Sequence, residues 1–414
     1  MSLKLLRQAL NGKGALPRMW HERPLKDLYD VVIIGGGAHG LACAYYLAKF
    51  HGITDVAVLD KRYIGYGGSG RNTTIIRSNY LTPEGVRFYD ESVKLYQDMS
   101  DDLDFNVMFS QRGHLTLAHT DASLRTMRRR AQVNQIEGVN SRVVFPDELA
   151  RLCPQLDLTD NPRYPVLGAL YHPPGGIIRH DAVVWGYAHQ ADKRGVHIHQ
   201  NTEVTGIRVD PTGSAVVGVE TSRGFIKTGT VLNATAGWAT TIAVMAGVKL
   251  PITTSPLQAC VTEPLKPFLD VVIVSGSLHV YVSQSDRGEL VMGASVDPFT
   301  SYSMAGSLLF MEDLAAHMLE LFPSLAHVRV LRQWAGVCDM TPDYSPVMGF
   351  TEVKGFLVDV GWGTYGFKAS PIAGKTLAEL IATNRTPDLI APFRLARFYE
   401  NDLVGEKGAA SVGH

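Results

Sequence analysis

A chain of 414 residues, of which 45% are hydrophobic and 19% are charged, has the composition of a globular protein large enough for two domains. Its formal net charge of −1 argues against binding to nucleic acid or to an anionic membrane, and no apolar run approaches the roughly 18 residues of a spanning helix. The four cysteines are far apart and form no CxxC pair, so we predict no metal site and no disulfide framework.

The N-terminal segment precedes the first strand signal. Residues 1–27 contain basic residues but lack the continuous apolar core of a secretory signal, and we therefore predict a cytoplasmic protein. The segment is interpreted as an arm that lies on the body or on a partner. A disordered tail fits the same residues equally well.

The first predicted strand leads directly into a glycine-rich turn. Val31–Ile34 is a run typical of a buried parallel strand, and a helical segment follows a GxGxxG pattern. Such glycines permit a tight turn, a close approach of the backbone to a pyrophosphate, and packing of the helix on the strand. The second predicted strand ends at Asp60, whose carboxylate can accept hydrogen bonds from ribose hydroxyls. The dinucleotide-binding residues predicted here are Gly35, Gly37, Ala38, His39, Gly40 and Asp60. A glycine-rich turn of another α/β protein is the alternative, and FAD and NAD both fit so far.

A second glycine-rich loop distinguishes the two cofactors. It runs through "KRYIGYGGSGRNTTIIRSNY", residues 61–80, directly after the ribose-binding acid. Its glycines permit the backbone to approach a ligand closely. An NAD dehydrogenase needs no second loop at this place, whereas FAD extends past the second strand. The sequence therefore predicts FAD, with further contacts from Gly68, Arg71, Asn72, Thr73 and Ile75.

The rest of the chain alternates between two predicted domains. Strand and helix signals return to the nucleotide-binding sheet after two insertions, and "HVYVSQSDRGELVMGA" predicts an antiparallel hairpin in the second insertion. We predict an α/β fold, α+β overall, with a Rossmann-like FAD-binding domain and a discontinuous antiparallel-sheet substrate domain. The predicted division is an arm at 1–27, the FAD-binding domain at 28–100, 171–244 and 346–400, the substrate domain at 101–170 and 245–345, and a tail at 401–414. The returning segments add Val204, Gly237, Gly363, Thr364 and Gly366 to the cofactor residues.

Several blocks carry a resemblance to a known family. "SGRNTTIIRSNY", "GGIIRHDAVVWG", "PLQACVTEP" and "GWGTYGFKASP" resemble the glycine oxidase/D-amino-acid oxidase group of flavin amine oxidases, and within it the beta subunits of heterotetrameric sarcosine oxidases. The resemblance implies oxidation of sarcosine to an imine, and hence to formaldehyde and glycine. It also implies a larger alpha subunit and small subunits as partners, with tetrahydrofolate as a possible acceptor of the product.

Four residues are candidates for substrate binding and catalysis. Arg77 and Lys368 would hold the substrate carboxylate, because the resemblance places basic residues with this role at the matching positions. A solvated arginine and a structural lysine are the alternatives. His279 and Tyr281, two apart on one predicted strand, are expected to face the substrate cavity together. A structural hairpin histidine is the alternative for His279.

The resemblance also implies a second flavin. His180 in "GGIIRHDAVVWG" matches the histidine that carries covalent FMN, and Arg179 beside it would meet the FMN phosphate. FAD is expected to be non-covalent, because Gly336 stands where monomeric relatives have the linking cysteine. Tyr365 stands where close relatives have a glycine, so the identity of the amine substrate stays open. The alternative substrates are another N-methyl amino acid, such as N-methylglutamate, or an opine. The alternative enzyme is a single-flavin D-amino acid or glycine oxidase.

Overall fold

The computed structural model describes residues 18–160 and 162–407. The strands in chain order are β1 (Val31–Ile34), β2 (Val56–Leu59), β3 (Ile75–Ile76), β4 (His114–Ala118), β5 (Arg142–Val144), β6 (Gly168–His172), β7 (Gly176–Ile177), β8 (His197–His199), β9 (Val204–Val209), β10 (Val216–Thr221), β11 (Gly224–Lys227), β12 (Val231–Asn233), β13 (Thr253–Pro264), β14 (Val272–Ser275), β15 (Val280–Gln284), β16 (Glu289–Val296), β17 (Val330–Met340), β18 (Val347–Phe350) and β19 (Phe356–Val360). The helices of the described residues are α1 (Ala38–His51), α2 (Pro83–Asp102), α3 (Asp121–Ile136), α4 (Pro146–Leu152), α5 (His180–Lys193), α6 (Ala239–Met245), α7 (Leu308–Leu321), α8 (Gly366–Thr383) and α9 (Arg397–Glu400).

A six-stranded sheet carries the glycine-rich turn. Its order is β18-β19-β12-β1-β2-β8, and its strands are parallel except for β18, which runs antiparallel to β19. The order reverses at β1, because β2 lies on one side of it and the much later β12 on the other. In open α/β sheets a crevice forms at such a reversal, outside the carboxyl ends of the strands. The GxGxxG turn therefore opens into the place where a dinucleotide binds.

Two helices cover this sheet and start at the crevice. α1 follows β1, and α8 follows β19, so both N-termini point to the same end of the sheet. The two helices cross in close contact at Gly374, where a Cβ atom would lie 2.5 Å from the Cβ of Ala42. Glycine is therefore required at this crossing, because a larger residue would push the helices apart.

The second large sheet has eight strands in the order β17-β13-β16-β15-β14-β4-β6-β5. All of its pairs are antiparallel except β14 with β4. The predicted hairpin is present as β15 and β16, and Tyr281 lies opposite Gly293 in it. One face of this sheet packs against α7 through a separate apolar cluster that includes Leu115, Val282 and Leu314. The architecture confirms the predicted mixed fold of a Rossmann-like part and an antiparallel sheet.

Both ends of the described chain lie against the body. His189 Nδ1 is 2.6 Å from the carbonyl oxygen of Met19, and Arg23 pairs with Asp192 on α5 at 3.1 Å. Residues 401–407 turn inward at the buried carboxylate of Glu406. Residues 1–17 of the predicted arm and 408–414 of the predicted tail lie outside the described residues. Within the described part, no helix combines the length and apolarity needed to cross a bilayer.

Candidate active site

A cavity of about 310 Å³ lies between the six-stranded and the eight-stranded sheets. The turn after β1, the loop 61–77, the end of β17 and the loop before α8 form its walls. Most of the predicted cofactor and substrate residues line it, namely Gly35, Gly37, His39, Asp60, Gly68, Arg71, Asn72, Thr73, Ile75, Arg77, Val204, Tyr281, Gly363, Thr364, Gly366 and Lys368. Segments that are far apart in sequence therefore meet around one space.

Apart from Arg179 and His180, which were predicted for the second flavin, four of the predicted residues are not among the described residues that line the cavity. The N–H of Ala38 donates to Ser69 Oγ, and Gly237 packs against Val337. The position of His279 corrects its predicted placement beside Tyr281. It lies in the turn between β14 and β15 with φ 51°, so the strand alternation that would align the two side chains begins only at Val280.

Gly40, the last of these four residues, packs against the glycine-rich turn on the side away from the cavity lining. A Cβ atom there would lie 2.1 Å from the carbonyl oxygen of Gly35, and Gly35 itself has φ 112°, where a side chain is strained. A Cβ at Gly37 would lie 2.9 Å from Ser69 Oγ at the cavity wall. The first turn of α1 has no side-chain cap at Gly37, and Gly37 and His39 line the cavity, so the start of this helix suits a phosphate group. This backbone fits the pyrophosphate of a dinucleotide.

Asp60 follows β2 and holds the same turn. Its Oδ2 accepts from the N–H of Gly36 at 2.9 Å, and its Oδ1 accepts from the N–H of Arg62 at 2.8 Å. Burial raises the pKa of this carboxyl, although both hydrogen bonds act against the rise. Lys61 lies 4.4 Å from the ring of Trp238 at this end of the cavity. The arrangement suits the adenosine half of FAD.

His39 joins the two helix starts. Its Nδ1 is 3.0 Å from Asp359 Oδ2, and its Nε2 is 2.7 Å from the carbonyl oxygen of Gly366, which only accepts. Burial lowers the pKa of His39, but the Asp359 carboxylate and the hydrogen bonds outweigh it and raise the pKa above its usual value. With an acceptor at each ring nitrogen, an imidazolium satisfies both contacts. This contact fixes α1 relative to α8 at the cofactor crevice.

Two basic side chains, Arg77 and Lys368, line the same cavity. Arg77 is buried, and its Nη1 donates to Asn79 Oδ1 at 2.9 Å, while its guanidinium lies 4.5 Å from the ring of Tyr80. Lys368 Nζ donates to the carbonyl oxygen of Thr364 at 3.3 Å. Burial, together with Arg77, holds the pKa of Lys368 well below its usual range. A carboxylate bound beside them would meet both groups.

Sequence reasoning missed three further groups near these two side chains. His114 on β4 lines the cavity, Arg130 on α3 donates through Nε to the carbonyl oxygen of Asn79, and Glu406 accepts from the N–H groups of Leu81 and Thr82. They come from three distant segments without a recognisable motif. Only the burial of charged residues, which is a property of the folded chain, distinguishes them.

A second cavity, of about 790 Å³, contains His180 and Arg179. His180 begins α5, and Arg179 pairs with Asp181 at 3.0 Å. Burial lowers the pKa of His180, which favours a neutral imidazole. The two cavities share one wall, formed by Tyr66, Arg71, Asn72, Thr73 and Thr74 of the second glycine-rich loop.

The described part of the chain contains no cluster of three potential His, Cys, Asp or Glu metal ligands. All four cysteines are buried free thiols. Cys338 lines the first cavity beside Gly336, and burial raises its pKa to about 12. The thiol is therefore protonated at neutral pH.

Fold and site together define a flavoprotein oxidoreductase. The chain belongs to the FAD dependent oxidoreductase (DAO) family, whose model matches residues 30–380. It is similar to sarcosine oxidase subunit beta of Rhodobacter capsulatus, with 46% identity over 408 residues, which cover 99% of this chain and 98% of the relative. Sarcosine oxidase subunit beta of an Arthrobacter species is 47% identical over 396 residues, 96% of this chain and 97% of that one. Among solved structures, L-proline dehydrogenase from P. horikoshii superposes with a TM-score of 0.86 at 30% identity, covering 92% of this chain and 100% of the other.

These relatives confirm the resemblance to sarcosine oxidase beta subunits that the sequence motifs predicted. They also confirm that the chain is an FAD-dependent amine oxidoreductase. The residues of the first cavity fit FAD at the glycine-rich turn and Asp60, and Arg77 and Lys368 line the same cavity.

Proposed function

We propose that the chain oxidises the C–N bond of sarcosine in the first cavity, as the catalytic subunit of a hetero-oligomeric enzyme. The observation that carries this proposal is the pair Arg77 and Lys368, two buried basic side chains that line the same cavity as the nucleotide-binding turn. A small amino acid presents one carboxylate to them. The names of the relatives support sarcosine as the first substrate to test.

The residues of the chain bind and orient the substrate. Asn79 and Tyr80 fix the Arg77 guanidinium, so its donors meet the carboxylate without reorganisation. Lys368 supplies a second donor from the start of α8. Tyr281 closes the wall formed by the eight-stranded sheet and excludes water from that side. FAD held at the glycine-rich turn and Asp60 would supply the two-electron acceptor for oxidation of the methyl carbon next to nitrogen, and hydrolysis of the resulting imine would give formaldehyde and glycine.

The second cavity is the proposed place for FMN. Arg179 would hold the phosphate, and His180, kept neutral by burial, would carry the covalent bond. FMN would pass electrons onward to oxygen or another acceptor. The wall shared by the two cavities supports this pairing, because a flavin bound in each cavity would lie against the same loop.

A partner subunit would cover the second cavity. Its lining includes Met108, Trp185 and Leu331, and the Leu331 side chain is 62% exposed in this chain alone. Exposed apolar groups around a cofactor cavity favour a protein interface. The relatives are named "subunit beta", which supports other subunits as partners. The proposed partners are a larger alpha subunit and small subunits in a cytoplasmic complex, with tetrahydrofolate as a further candidate ligand.

Flavin analysis of the complex tests this proposal. The chain is purified with its co-expressed partners and precipitated with acid, and the flavin of supernatant and pellet is identified. FAD in the supernatant and FMN on a peptide containing His180 support the two-flavin reading. The variant His180→Asn is expected to lose peptide-bound FMN and keep FAD, and His317→Asn on α7 serves as the matched control, since it lines neither cavity. Release of all flavin as FAD by the wild type would favour the single-flavin oxidase.

A related substrate is the second candidate. The similarity to an L-proline dehydrogenase structure favours other secondary amino acids, because proline and sarcosine share a carboxylate next to a secondary amine. The same preparation is therefore mixed anaerobically with sarcosine, N-methylglutamate, an opine and L-proline. The compound that bleaches the flavin at the lowest concentration identifies the substrate.

A further inference from the structure

His114 combines burial with a place in the cavity wall. It begins β4 in the middle of the eight-stranded sheet, its residue exposure is 1%, and it lines the first cavity. Neither Nδ1 nor Nε2 has a hydrogen-bond partner in the described structure. Buried polar side chains nearly always have a partner, and an unpartnered one in a binding cavity points to a ligand that supplies it.

The backbone around His114 fixes the position of its side chain. β4 pairs with β6 and β14, where His172 and Val272 are the partners of His114. A Cβ atom on Gly175 would lie 2.7 Å from the Cβ of His114, so glycine permits this close packing. The strands on both sides therefore fix the backbone of His114, and its Cβ packs closely against Gly175 at the cavity wall.

The surrounding charges keep the imidazole neutral. Arg77 faces it from the segment after β3, Lys368 from α8, Arg130 from α3 and His172 from β6. Burial, reinforced by these groups, holds the pKa of His114 well below its usual range. One ring nitrogen therefore carries a lone pair inside a cluster of hydrogen-bond donors.

We propose that His114 is a catalytic residue that binds the substrate nitrogen, with its unprotonated ring nitrogen accepting a hydrogen bond from the N–H of the neutral secondary amine. This rests on the proposed function, in which Arg77 and Lys368 hold the carboxylate of the same molecule. The substrate ammonium gives one proton to solvent when it binds, and the remaining N–H donates to His114. The nitrogen lone pair is then available to form the C=N bond as hydride leaves carbon.

The charges of the site agree with this form of the substrate. An ammonium group would add a positive charge beside Arg77, Lys368 and Arg130, whereas a neutral amine adds none. The cationic cluster thus favours loss of the proton, and His114 is the acceptor that replaces the water that solvated the amine. A secondary amine has an N–H for this contact, and a neutral tertiary amine has none.

The variants His114→Leu and His114→Gln in the intact complex test the assignment. Anaerobic mixing with sarcosine gives the dissociation constant and the rate of flavin reduction at several pH values. Methoxyacetate, which replaces the N–H of sarcosine with oxygen, probes the carboxylate site alone through the flavin spectrum. The control is His119→Gln. His119 is a buried histidine directly after β4, and it forms hydrogen bonds with Tyr164 and Ser275 outside the cavity.

We expect His114→Leu to weaken sarcosine binding about tenfold, which corresponds to one lost hydrogen bond, and to leave methoxyacetate binding unchanged. The pH at which reduction becomes half-maximal should rise, because the neutral amine loses its acceptor. His114→Gln retains an acceptor and should lie between wild type and His114→Leu, and it serves as the test if the leucine variant does not fold. Equal sarcosine affinity and equal pH profiles in wild type and variants would overturn the assignment. A wild-type complex that sarcosine fails to reduce would instead overturn the proposed function.

Discussion

Replacing Arg77 with methionine is expected to weaken binding of the substrate carboxylate about 100-fold. The guanidinium is buried, so water does not screen its contact with a ligand, and a charge-assisted hydrogen bond in such a place contributes about 1.5–3 kcal/mol. Lys368 remains to bind the carboxylate, which limits the loss to about 3 kcal/mol, and each 1.4 kcal/mol is a factor of ten in the dissociation constant. Methionine keeps much of the side-chain volume and removes the charge and the donors.

The assay is a titration of the FAD-loaded complex with methoxyacetate, followed by the visible flavin spectrum. Flavin content per chain should stay at the wild-type value, because methionine keeps much of the side-chain volume and the substitution leaves the glycine-rich turn and Asp60 unchanged. Arg208→Met, which removes an exposed surface pair with Glu220, is the matched control. A dissociation constant within about threefold of wild type, together with a lower free energy of unfolding, would refute the binding role and leave Arg77 as a structural support for Asn79 and Tyr80.

Three further outcomes follow from the structure. Gly40→Ala should abolish FAD retention, because its Cβ would meet the carbonyl of the glycine turn, whereas Gly229→Ala, with open space around it, should retain FAD as measured by visible absorbance of the purified protein. The pKa of His39 is raised in the folded state, so its protonation contributes stability that is fully present below the unfolded pKa of about 6.5 and is lost as pH rises through the folded pKa. His39→Gln should therefore flatten the pH dependence of the free energy of unfolding measured in urea. An unchanged pH dependence would count against the imidazolium. Glu406→Ala should lower the free energy of unfolding by about 2–4 kcal/mol in denaturant titrations, because the N–H groups of Leu81 and Thr82 before α2 lose their acceptor. The control Glu400→Ala, at an exposed position, should change this free energy little.

Local chemistry explains which features the sequence predicted. The turn from Gly35 to Gly40 and the acid Asp60 lie within one strand–helix–strand unit, so their spacing alone indicates how they meet. The β15–β16 hairpin was predictable for the same reason, since its two strands are separated by a short turn.

Long-range packing explains what the sequence did not predict. His279 was expected beside Tyr281 because strand alternation was extended one residue too far, into a turn with positive φ. His114, Arg130 and Glu406 come from three separate segments, and their importance depends on burial and on neighbouring charges. Such properties appear only when the two sheets are brought together.

Anaerobic titration of the purified complex with sarcosine tests the central claim most directly. Each molecule of substrate delivers two electrons, so a complex with FAD in the first cavity and FMN in the second should be fully reduced by about two equivalents of sarcosine. The same titration of Arg77→Met should require a much higher concentration for the same final reduction. A wild-type complex that carries both flavins and stays oxidised in excess sarcosine would contradict the account.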